Sequence, residues 1–463
     1  MNGNKHIIII GGGPAGYVGA IRAAQLGARV TLVEKETLGG ACLNVGCIPT
    51  KALLASAEVL QHIQRAGQFG LKAGEAGFDW GAVQQRKERV VKKAVAGVGL
   101  LLKKRGVAVI DGAASLVSGR KAAVRGKDGT VTELEGDFIL IATGSSPEKL
   151  PIPGIDSPNV LDSTGALALK EVPKHLMVIG GGVIGCELAD VYSSFGAKVT
   201  IVELMPQLIP GEDFEAVNVL HAALAKRGAG IMLESRVTRI ADSGQGLEVS
   251  VQAKDGKITT ITADKVLVSV GRRANIESIG IEAAGVLTER GFIKVNAALE
   301  TNIPDVYAAG DCVGGWLLAH VASREAEAAV ENMLGRAATI DYSAVPRCVY
   351  AHPELASVGS LERTENEEPY VIGKFPFSAN GKASCLGELD GFVKIAADPR
   401  THEVRGGVIV GACATELIAE LSLAVSQKAT LDDVARALHA HPTLHESTME
   451  AALGALGRAI HLP

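Results

Sequence analysis

Aromatic side chains are scarce in this chain. They make up 4% of 463 residues, whereas hydrophobic residues as a whole reach 47% and glycines number 55. A core of small and branched aliphatic residues, broken by many tight turns, suits a layered α/β protein better than an all-β sandwich. Cysteine is sparse as well. Seven is an odd number, far below the density of a disulfide-stapled scaffold, and points to a reducing compartment. No basic block stands out and the net charge is −5, which argues against nucleic acid as a partner. The longest tempting apolar stretch, Ala94 to Leu102, is nine residues between lysines, short of the ~18 needed to cross a bilayer. At the N-terminus only four isoleucines precede the first glycines, too few for a signal-peptide core. The expectation is a soluble, cytoplasmic protein with no membrane partner. At ~100 to 200 residues per domain, the length suggests about three domains.

What is present is one pattern written twice. "IIIIGGGPAGYVGAIRAAQLGARVTLVEK" begins at Ile7 and "LMVIGGGVIGCELADVYSSFGAKVTIVEL" at Leu176. Gly180 follows Gly11 by 169 residues, as Gly196 follows Gly27 and Glu203 follows Glu34. Each copy reads as strand, G-x-G-x-x-G, helix and second strand ending in Glu. One such motif is weak evidence, but two with matched acids predict two dinucleotide sites. Gly11 and Gly180 make the tight turn, and Gly13 and Gly182 let a pyrophosphate approach the backbone. Gly16 and Gly185 let helix pack on strand, and Glu34 and Glu203 accept a ribose hydroxyl. A carboxylate at Glu203 also repels a 2′-phosphate, and Leu204 to Gln207 offer no Arg, so NAD is favoured over NADP.

"GGACLNVGCIPTK" (residues 39–51) holds Cys42 and Cys47. Across a regular helix five residues rise about 7.5 Å, beyond the ~7 Å Cα limit for a disulfide. A bond would need a distorted turn, which Gly46 permits. Zinc is less expected, because no second Cys or His pair with ligand spacing lies nearby. Two reduced, buried thiols is the bland alternative, which explains a single cysteine better than a pair beside a dinucleotide fold.

The segment closely resembles the redox-disulfide segment of the flavin-dependent pyridine nucleotide-disulfide oxidoreductases. The resemblance covers nearly the whole chain and implies two Rossmann-like domains plus an α+β dimerisation domain. It makes Cys42 the sulfur that exchanges with substrate and Cys47 the one against the flavin, with Lys51 near the isoalloxazine and paired with Glu187. FAD would occupy the first fingerprint and NAD the second. "ATGSSP" (Ala142 to Pro147) is similar to the strand closing the FAD domain, implying Thr143, Gly144 and Ser145 as contacts. "VYAAGDC" implies that Asp311 binds the FAD ribityl chain. "LLAHVA" implies a helix aimed at the flavin through Leu318, Ala319 and His320, and Gly112 to Ala114 a turn near the adenine. On the NAD side, Gly271 of "SVGRRAN" would lie near the nicotinamide ribose and Val237 near the adenine. The implied domains are residues 1–145 (FAD), 146–274 (NAD), 275–342 (a central segment completing the FAD site) and 343–463 (interface).

"HAHPTLHES" (His439 to Ser447) is similar to the segment in which dihydrolipoamide dehydrogenases carry their acid/base. The resemblance makes His441 the acid/base and Glu446 the residue that orients it, with the His441–Pro442 bond cis. His suits the role because its pKa lies near working pH. His439 and His445 read as histidines capping a surface turn, with His445 standing where Ser is more usual. His441 would meet Cys47 only across a two-fold dimer, so the active site is shared between chains. Within the family, Glu203 disfavours the NADP-linked reductases and the absence of cysteine after Cys413 disfavours mercuric reductases. Two active cysteines disfavour the single-cysteine oxidases and peroxidases. The implied activity is FAD-dependent oxidation of protein-bound dihydrolipoamide, with NAD⁺ reduced through a redox-active disulfide. The implied partner is a lipoyl-bearing acyltransferase or glycine-cleavage carrier protein. No metal is expected. A non-catalytic flavoprotein scaffold is the competing class, and the intact Cys42, Cys47 and His441 weigh against it. The acidic stretch "ERTENEEPY" (Glu362 to Tyr370) departs from the family pattern, and is expected to alter a surface helix rather than chemistry.

Overall fold

The structure, a computed structural model, describes residues 5–74, 76–244, 246–277, 279–362 and 368–462. Most of the acidic stretch singled out above, residues 363–367, lies outside the described residues. The chain forms two units, each built from separate stretches. The first holds Met1–Ala52, Ala82–Lys149 and Gly271–Ile340, and the second Leu53–Gly81, Leu150–Val270 and Asp341–Pro463.

The first unit is built on a five-stranded parallel sheet in the order Val306–Ala308, Phe138–Ile141, His6–Ile10, Arg29–Glu34, Ala108–Asp111. Its central strand, HIIII, is buried throughout. A strand covered on both faces reads as a continuous apolar run rather than an alternating one. One face is covered by the helix Pro14–Gln25, which has proline in its first turn, packed against the helix Ala319–Met333. Gly19 sits at that crossing. A Cβ there would meet Ala326 at 3.3 Å and Leu140 at 3.0 Å, so glycine brings the two helices and the sheet together. The other face is covered by a three-stranded antiparallel sheet, Ala113–Ser118, Lys121–Arg125 and Val131–Glu135, which buries Leu116, Ala122 and Val124 against Ile8 and Ile139.

The second unit repeats the plan. Its parallel sheet runs Gly230–Met232, Lys198–Val202, His175–Ile179, Lys265–Val268, Val160–Leu161, beside the antiparallel strands Ser235–Asp242, Leu247–Ala253 and Ile258–Ala263. The repeat extends to the register. His6 pairs with Arg29 and His175 with Lys198, each displaced by 169 residues from its counterpart. His6 Nε2 lies 2.9 Å from Thr31 Oγ1, as His175 Nε2 does from Thr200 Oγ1.

The same unit carries a five-stranded antiparallel sheet, in the order Arg347–Val349, Glu354–Gly359, Val404–Gly411, Phe392–Ala397, Val371–Pro376. Helices Ala414–Ser426, Leu431–Arg436 and Glu446–Ala455 complete this α+β module. At Gly373 a Cβ would lie 1.8 Å from the carbonyl of Ala451, so glycine lets the last helix lie directly on the edge strand. Among the described residues one helical stretch, Gly40–Gln64, is long and apolar enough to cross a membrane. Its Leu43, Leu53, Leu54, Ala57 and Leu60 are buried in the protein.

The antiparallel sheet is tied to the second fingerprint helix, Val183–Ser194, by two acids one turn apart. Glu187 accepts from the Tyr350 amide at 3.0 Å, and the fully buried Asp190 accepts from the His352 amide at 3.0 Å and its ring at 2.7 Å. Arg227 donates to Asp190 at 2.7 Å and to the His352 carbonyl at 2.6 Å. Burial disfavours the charged imidazole of His352, but the hydrogen bond and attraction of Asp190, helped by Glu58, outweigh burial and the repulsion of Arg227. Its pKa is raised. The stabilisation from this proton is therefore complete below about pH 6.5 and lost as pH rises through the raised value. Asp190→Asn is expected to lower stability by about 3 kcal/mol at pH 6, because two cations lose a buried partner. It should also abolish the decline in melting temperature above neutrality. Thermal unfolding from pH 5.5 to 8.5 checks both, and a parallel decline in the variant would exclude His352 as the titrating group.

Candidate active site and nucleotide sites

Both glycine loops have the same geometry. Gly11 and Gly180 have φ of +106° and +100°, in the region glycine favours. Added Cβ atoms would meet the carbonyls of Ala142 at 2.3 Å and Ser269 at 2.5 Å. At Gly16 and Gly185 a Cβ would strike the carbonyls of Gly11 and Gly180 at 1.8 and 2.0 Å. Gly13 and Gly182 are different. A Cβ on Gly13 would have only the Gly40 Cα at 3.8 Å, and one on Gly182 nothing within 4 Å. Gly182 thus faces open space in front of a helix N-terminus, and Gly13 meets only one ordinary contact there, a setting suited to an anion.

Glu34 and Glu203 do more than wait for a ribose. Glu34 Oε2 accepts from the Gly12 amide at 2.6 Å and its Oε1 from the Glu36 amide at 2.7 Å. Glu203 does the same with Gly181 at 2.6 Å and Met205 at 2.8 Å. Each buried carboxylate thus ties the end of the second strand to the glycine loop. An ionised carboxylate has about four acceptor sites, so two remain for hydroxyls.

The cysteine segment returns the chain to the first glycine loop. The Gly39 amide donates to the Gly12 carbonyl at 2.8 Å. The helix Gly40–Val45 then stops at Gly46 and a new helix, Cys47–Gln64, begins. The distorted turn that a bond between the cysteines would need is present at Gly46. A Cβ there would approach the Ala41 carbonyl at 3.0 Å and the Cys42 Cα at 3.5 Å. Both cysteines are half-buried free thiols, and they hydrogen-bond each other. The bond to Cys47, then burial, raises the Cys42 pKa against the opposing pull of Lys51 one turn along. Tyr17, on the first fingerprint helix, packs beside Cys42, and burial followed by the two sulfurs keeps its hydroxyl protonated. Sequence reasoning passed over it, although it directly follows Gly16.

Around the same loop, Ser145 donates to Asp311 Oδ2, and Arg272 donates to Ser145 Oγ and carbonyl, both at 2.7 Å. Asn275 donates to the Thr143 carbonyl at 3.0 Å and its amide to Gly144 at 2.9 Å. Leu318 precedes the helix Ala319–Met333, with Ala319 and His320 in its first turn. Ala114 is buried in the antiparallel layer. In the second unit, Glu187 and Glu203 flank the second loop, while Val237 is a core side chain packed with Met177 and Val202. Gly271 belongs to the first unit, where its carbonyl accepts from the Glu148 amide at 3.0 Å.

His441 and Glu446 form a dyad in the second unit, with Nδ1 and Oε1 2.9 Å apart. The other carboxylate oxygen accepts from the Thr443 amide at 2.8 Å. That bond leads in holding Glu446 below the usual carboxylate range. The His441 side chain is 79% exposed, and the His441–Pro442 bond is cis. His439 and His445 are more than turn caps. Both reach Glu420 on the helix Ala414–Ser426, at 2.8 and 3.1 Å. His439 also meets the Ala437 carbonyl at 2.9 Å, so both of its ring nitrogens face acceptors and its pKa is raised, first by Glu420. Glu420 lies 19 residues before His439, a spacing that carries no local signal. Among the described residues no group of acids, histidines and cysteines is arranged to hold a metal.

Residues 5–326 match the pyridine nucleotide-disulphide oxidoreductase family, and residues 345–452 match its dimerisation domain. The chain is 43% identical to a dihydrolipoyl dehydrogenase of Bacillus subtilis over 98% of both proteins. It is 40% identical to that of Chlamydia trachomatis over 100% of this chain and 99% of the relative. Among solved structures it resembles LpdA from Mycobacterium tuberculosis, with TM-score 0.89, 30% identity, and coverage of 97% and 99%. It also resembles the HOCl-induced flavoprotein disulfide reductase RclA from Escherichia coli, with TM-score 0.85, 29% identity, and coverage of 96% and 99%.

The loop geometry separates two kinds of glycine. Gly182→Val places its methyls in open space, and should leave the melting temperature unchanged while blocking nucleotide binding at that loop. Gly185→Ala drives a methyl into a backbone carbonyl and should destabilise the fold by at least about 1–3 kcal/mol. Circular dichroism melts beside NADH titration distinguish them. Equal behaviour of the two variants would show that Gly182 does not face the ligand.

Proposed function

The chain belongs to the pyridine nucleotide-disulphide oxidoreductase family, and we propose that within it Cys42, Cys47 and His441 carry out the dihydrolipoyl dehydrogenase reaction. The enzyme oxidises dihydrolipoamide to lipoamide and reduces NAD⁺ to NADH, with FAD as resident cofactor. It acts as a homodimer through its dimerisation domain. The observation that carries the residue assignment is the thiol pair, brought into hydrogen-bonding contact across the Gly46 helix break beside the first glycine loop.

Gly11, Gly13, Gly16 and Glu34 hold FAD, together with Lys51, Ala114, Thr143, Gly144, Ser145, Asp311 and the Leu318 to His320 helix start. Gly180, Gly182, Gly185, Glu187 and Glu203, all in the second unit, hold NAD. The room for a ligand at Gly13 and Gly182 supports a nucleotide at each loop. The four-part organisation, with boundaries near 145, 274 and 342, is supported by the three five-stranded sheets, two parallel and one antiparallel, and by the return of Val306–Ala308 to the first of them.

The oxidised resting state carries a Cys42–Cys47 disulfide. His441 Nε2 takes the proton of one substrate thiol, because Nδ1 is held by Glu446. The resulting thiolate attacks Cys42, forming a mixed disulfide as the pair of electrons leaves on Cys47. The second substrate sulfur attacks the first, closing the lipoamide ring and expelling Cys42. The two substrate protons end on Cys42 and His441. FAD, held at the first glycine loop, would supply the two-electron route from the Cys42–Cys47 thiols to NAD⁺ by which the disulfide is restored.

His441 serves the partner subunit's thiols in this reading, and its 79% exposure within its own chain supports an action across the two-fold. The protein substrate is a lipoyl-bearing acyltransferase or glycine-cleavage carrier, and the enzyme works in the cytoplasm. Subunit exchange between Cys47→Ser and His441→Gln homodimers tests the trans assignment. Each homodimer should be nearly inactive with dihydrolipoamide. A heterodimer gathers both lesions into one composite site and leaves the other intact, so activity should return towards half that of wild type at each heterodimer. No recovery after proven exchange would place His441 in the site of its own chain.

A further inference from the structure

The two glycine loops differ in what returns to them. In the first copy, Leu38 and Gly39 come back to Gly12, and the cysteine segment follows. In the second, Leu208 lies against Gly181, with Leu208 Cδ2 2.6 Å from an added Cβ, and the Ile209 amide donates to the Gly181 carbonyl at 2.8 Å. Leu208 follows Leu38 by 170 residues, one more than the repeat offset. The second returning segment, residues 204–213, carries no cysteine and starts no helix that holds it in place. It turns through Ile209 at φ 43° and Gly211 at φ 92°.

Its far end is held from outside the nucleotide fold. The half-turn from Ile209 closes at Glu212, whose amide donates to the Ile209 carbonyl at 3.2 Å, while Gln207 donates to the Glu212 carbonyl at 2.9 Å. The Glu212 side chain is 9% exposed, and it runs into the antiparallel sheet. There Arg347 Nε donates to Oε1 at 2.6 Å, and Ser357 Oγ donates to Oε2 at 2.5 Å. Arg347 and Ser357 are directly paired residues on neighbouring strands. Next along, Asp213 caps the helix Phe214–Lys226 and accepts from Lys394 of the same sheet at 2.7 Å.

We propose that Arg347, in the dimerisation module, is a positioning residue for NAD⁺ binding, holding the Gly181 loop in its binding shape through Glu212 and the Leu208–Ile209 turn. The proposal rests on the reading that the second glycine loop takes NAD⁺. Loss of Arg347 leaves Glu212 a buried carboxylate without its cation, so the turn moves towards water and its support of Gly181 loosens. Nothing in this chain of contacts includes Cys42, Cys47 or His441. The effect belongs to nucleotide affinity and not to thiol exchange.

The test uses the FAD-loaded dimer. Arg347→Ala should raise the KM for NAD⁺ and the NADH dissociation constant about tenfold, since small displacements of a binding loop carry effects of this size. Anaerobic reduction of the flavin by dihydrolipoamide without NAD⁺ should keep its wild-type rate. Arg347→Lys, which restores the charge but not the fork, should recover part of the affinity. In a Glu212→Gln background, Arg347→Ala should add little. Unchanged NADH affinity in Arg347→Ala, or an equal loss in the flavin-reduction step, overturns the proposal. Gly182→Val provides the separate check. If it leaves NADH binding intact the assignment of the nucleotide site fails, whereas loss of binding there beside an unaffected Arg347→Ala overturns the positioning role alone.

Discussion

A buried carboxylate bonded to a glycine amide is the constraint from which both nucleotide sites follow. Glu34 with Gly12 and Glu203 with Gly181, each at 2.6 Å, tie the end of a strand to the loop in front of the neighbouring strand. Burying an ion is costly unless hydrogen bonds satisfy it, and here both oxygens of each carboxylate are occupied by backbone amides. The amides beside the helix start are drawn into place, and little crowds Gly13 or Gly182. The same acid that we propose discriminates a ribose hydroxyl from a 2′-phosphate thus also builds the loop. A neutral residue at Glu203 would alter loop shape and selectivity together.

The parts of the molecule most legible in its sequence were those whose determinants lie within about thirty residues. Strand, glycine loop, helix and acid recur at a fixed offset, and the observed registers repeat with it. The break at Gly46 was legible because glycine between two cysteines is a local signal. Glu420, Arg347 and Asp190 were not. Each works through a partner brought close only by the tertiary fold, and Arg, Glu and Asp on a helix or strand ordinarily mark a solvated face. Tyr17 was missed for another reason, since a tyrosine inside an otherwise apolar helix reads as core. The His6–Thr31 and His175–Thr200 pairs occupy an intermediate place. Neither is visible alone, but comparing the two copies position by position would have exposed them.

The two glycine loops show how one half-fold can be put to different uses. In the first, the returning segment brings its own helix starts and its own chemistry, because Gly39 and Gly40 both adopt positive φ and bring Cys42 round close to the loop. In the second, the returning segment is a plain turn, and a strand from a later module supplies its anchor. A redox pair must be rigid relative to the cofactor it reduces, so its support is local. A nucleotide that binds and leaves in every cycle tolerates support from a distance.

The C-terminal dyad follows the same logic of support within its own module. An imidazole 79% exposed has little packing to orient it, and an unrestrained ring would rotate freely. Three contacts replace packing. Glu446 holds Nδ1, the Thr443 amide holds Glu446, and Thr443 Oγ1 donates to the Ala440 carbonyl at 2.7 Å, closing the turn on which His441 stands. Glu420 anchors His439 and His445 on either side, so the segment is pinned at both ends while its middle stays open. Such an arrangement presents one free ring nitrogen in a defined direction without help from the surface it faces. A proton acceptor that serves another subunit's thiols needs this property, since its orientation has to be set before the two surfaces meet.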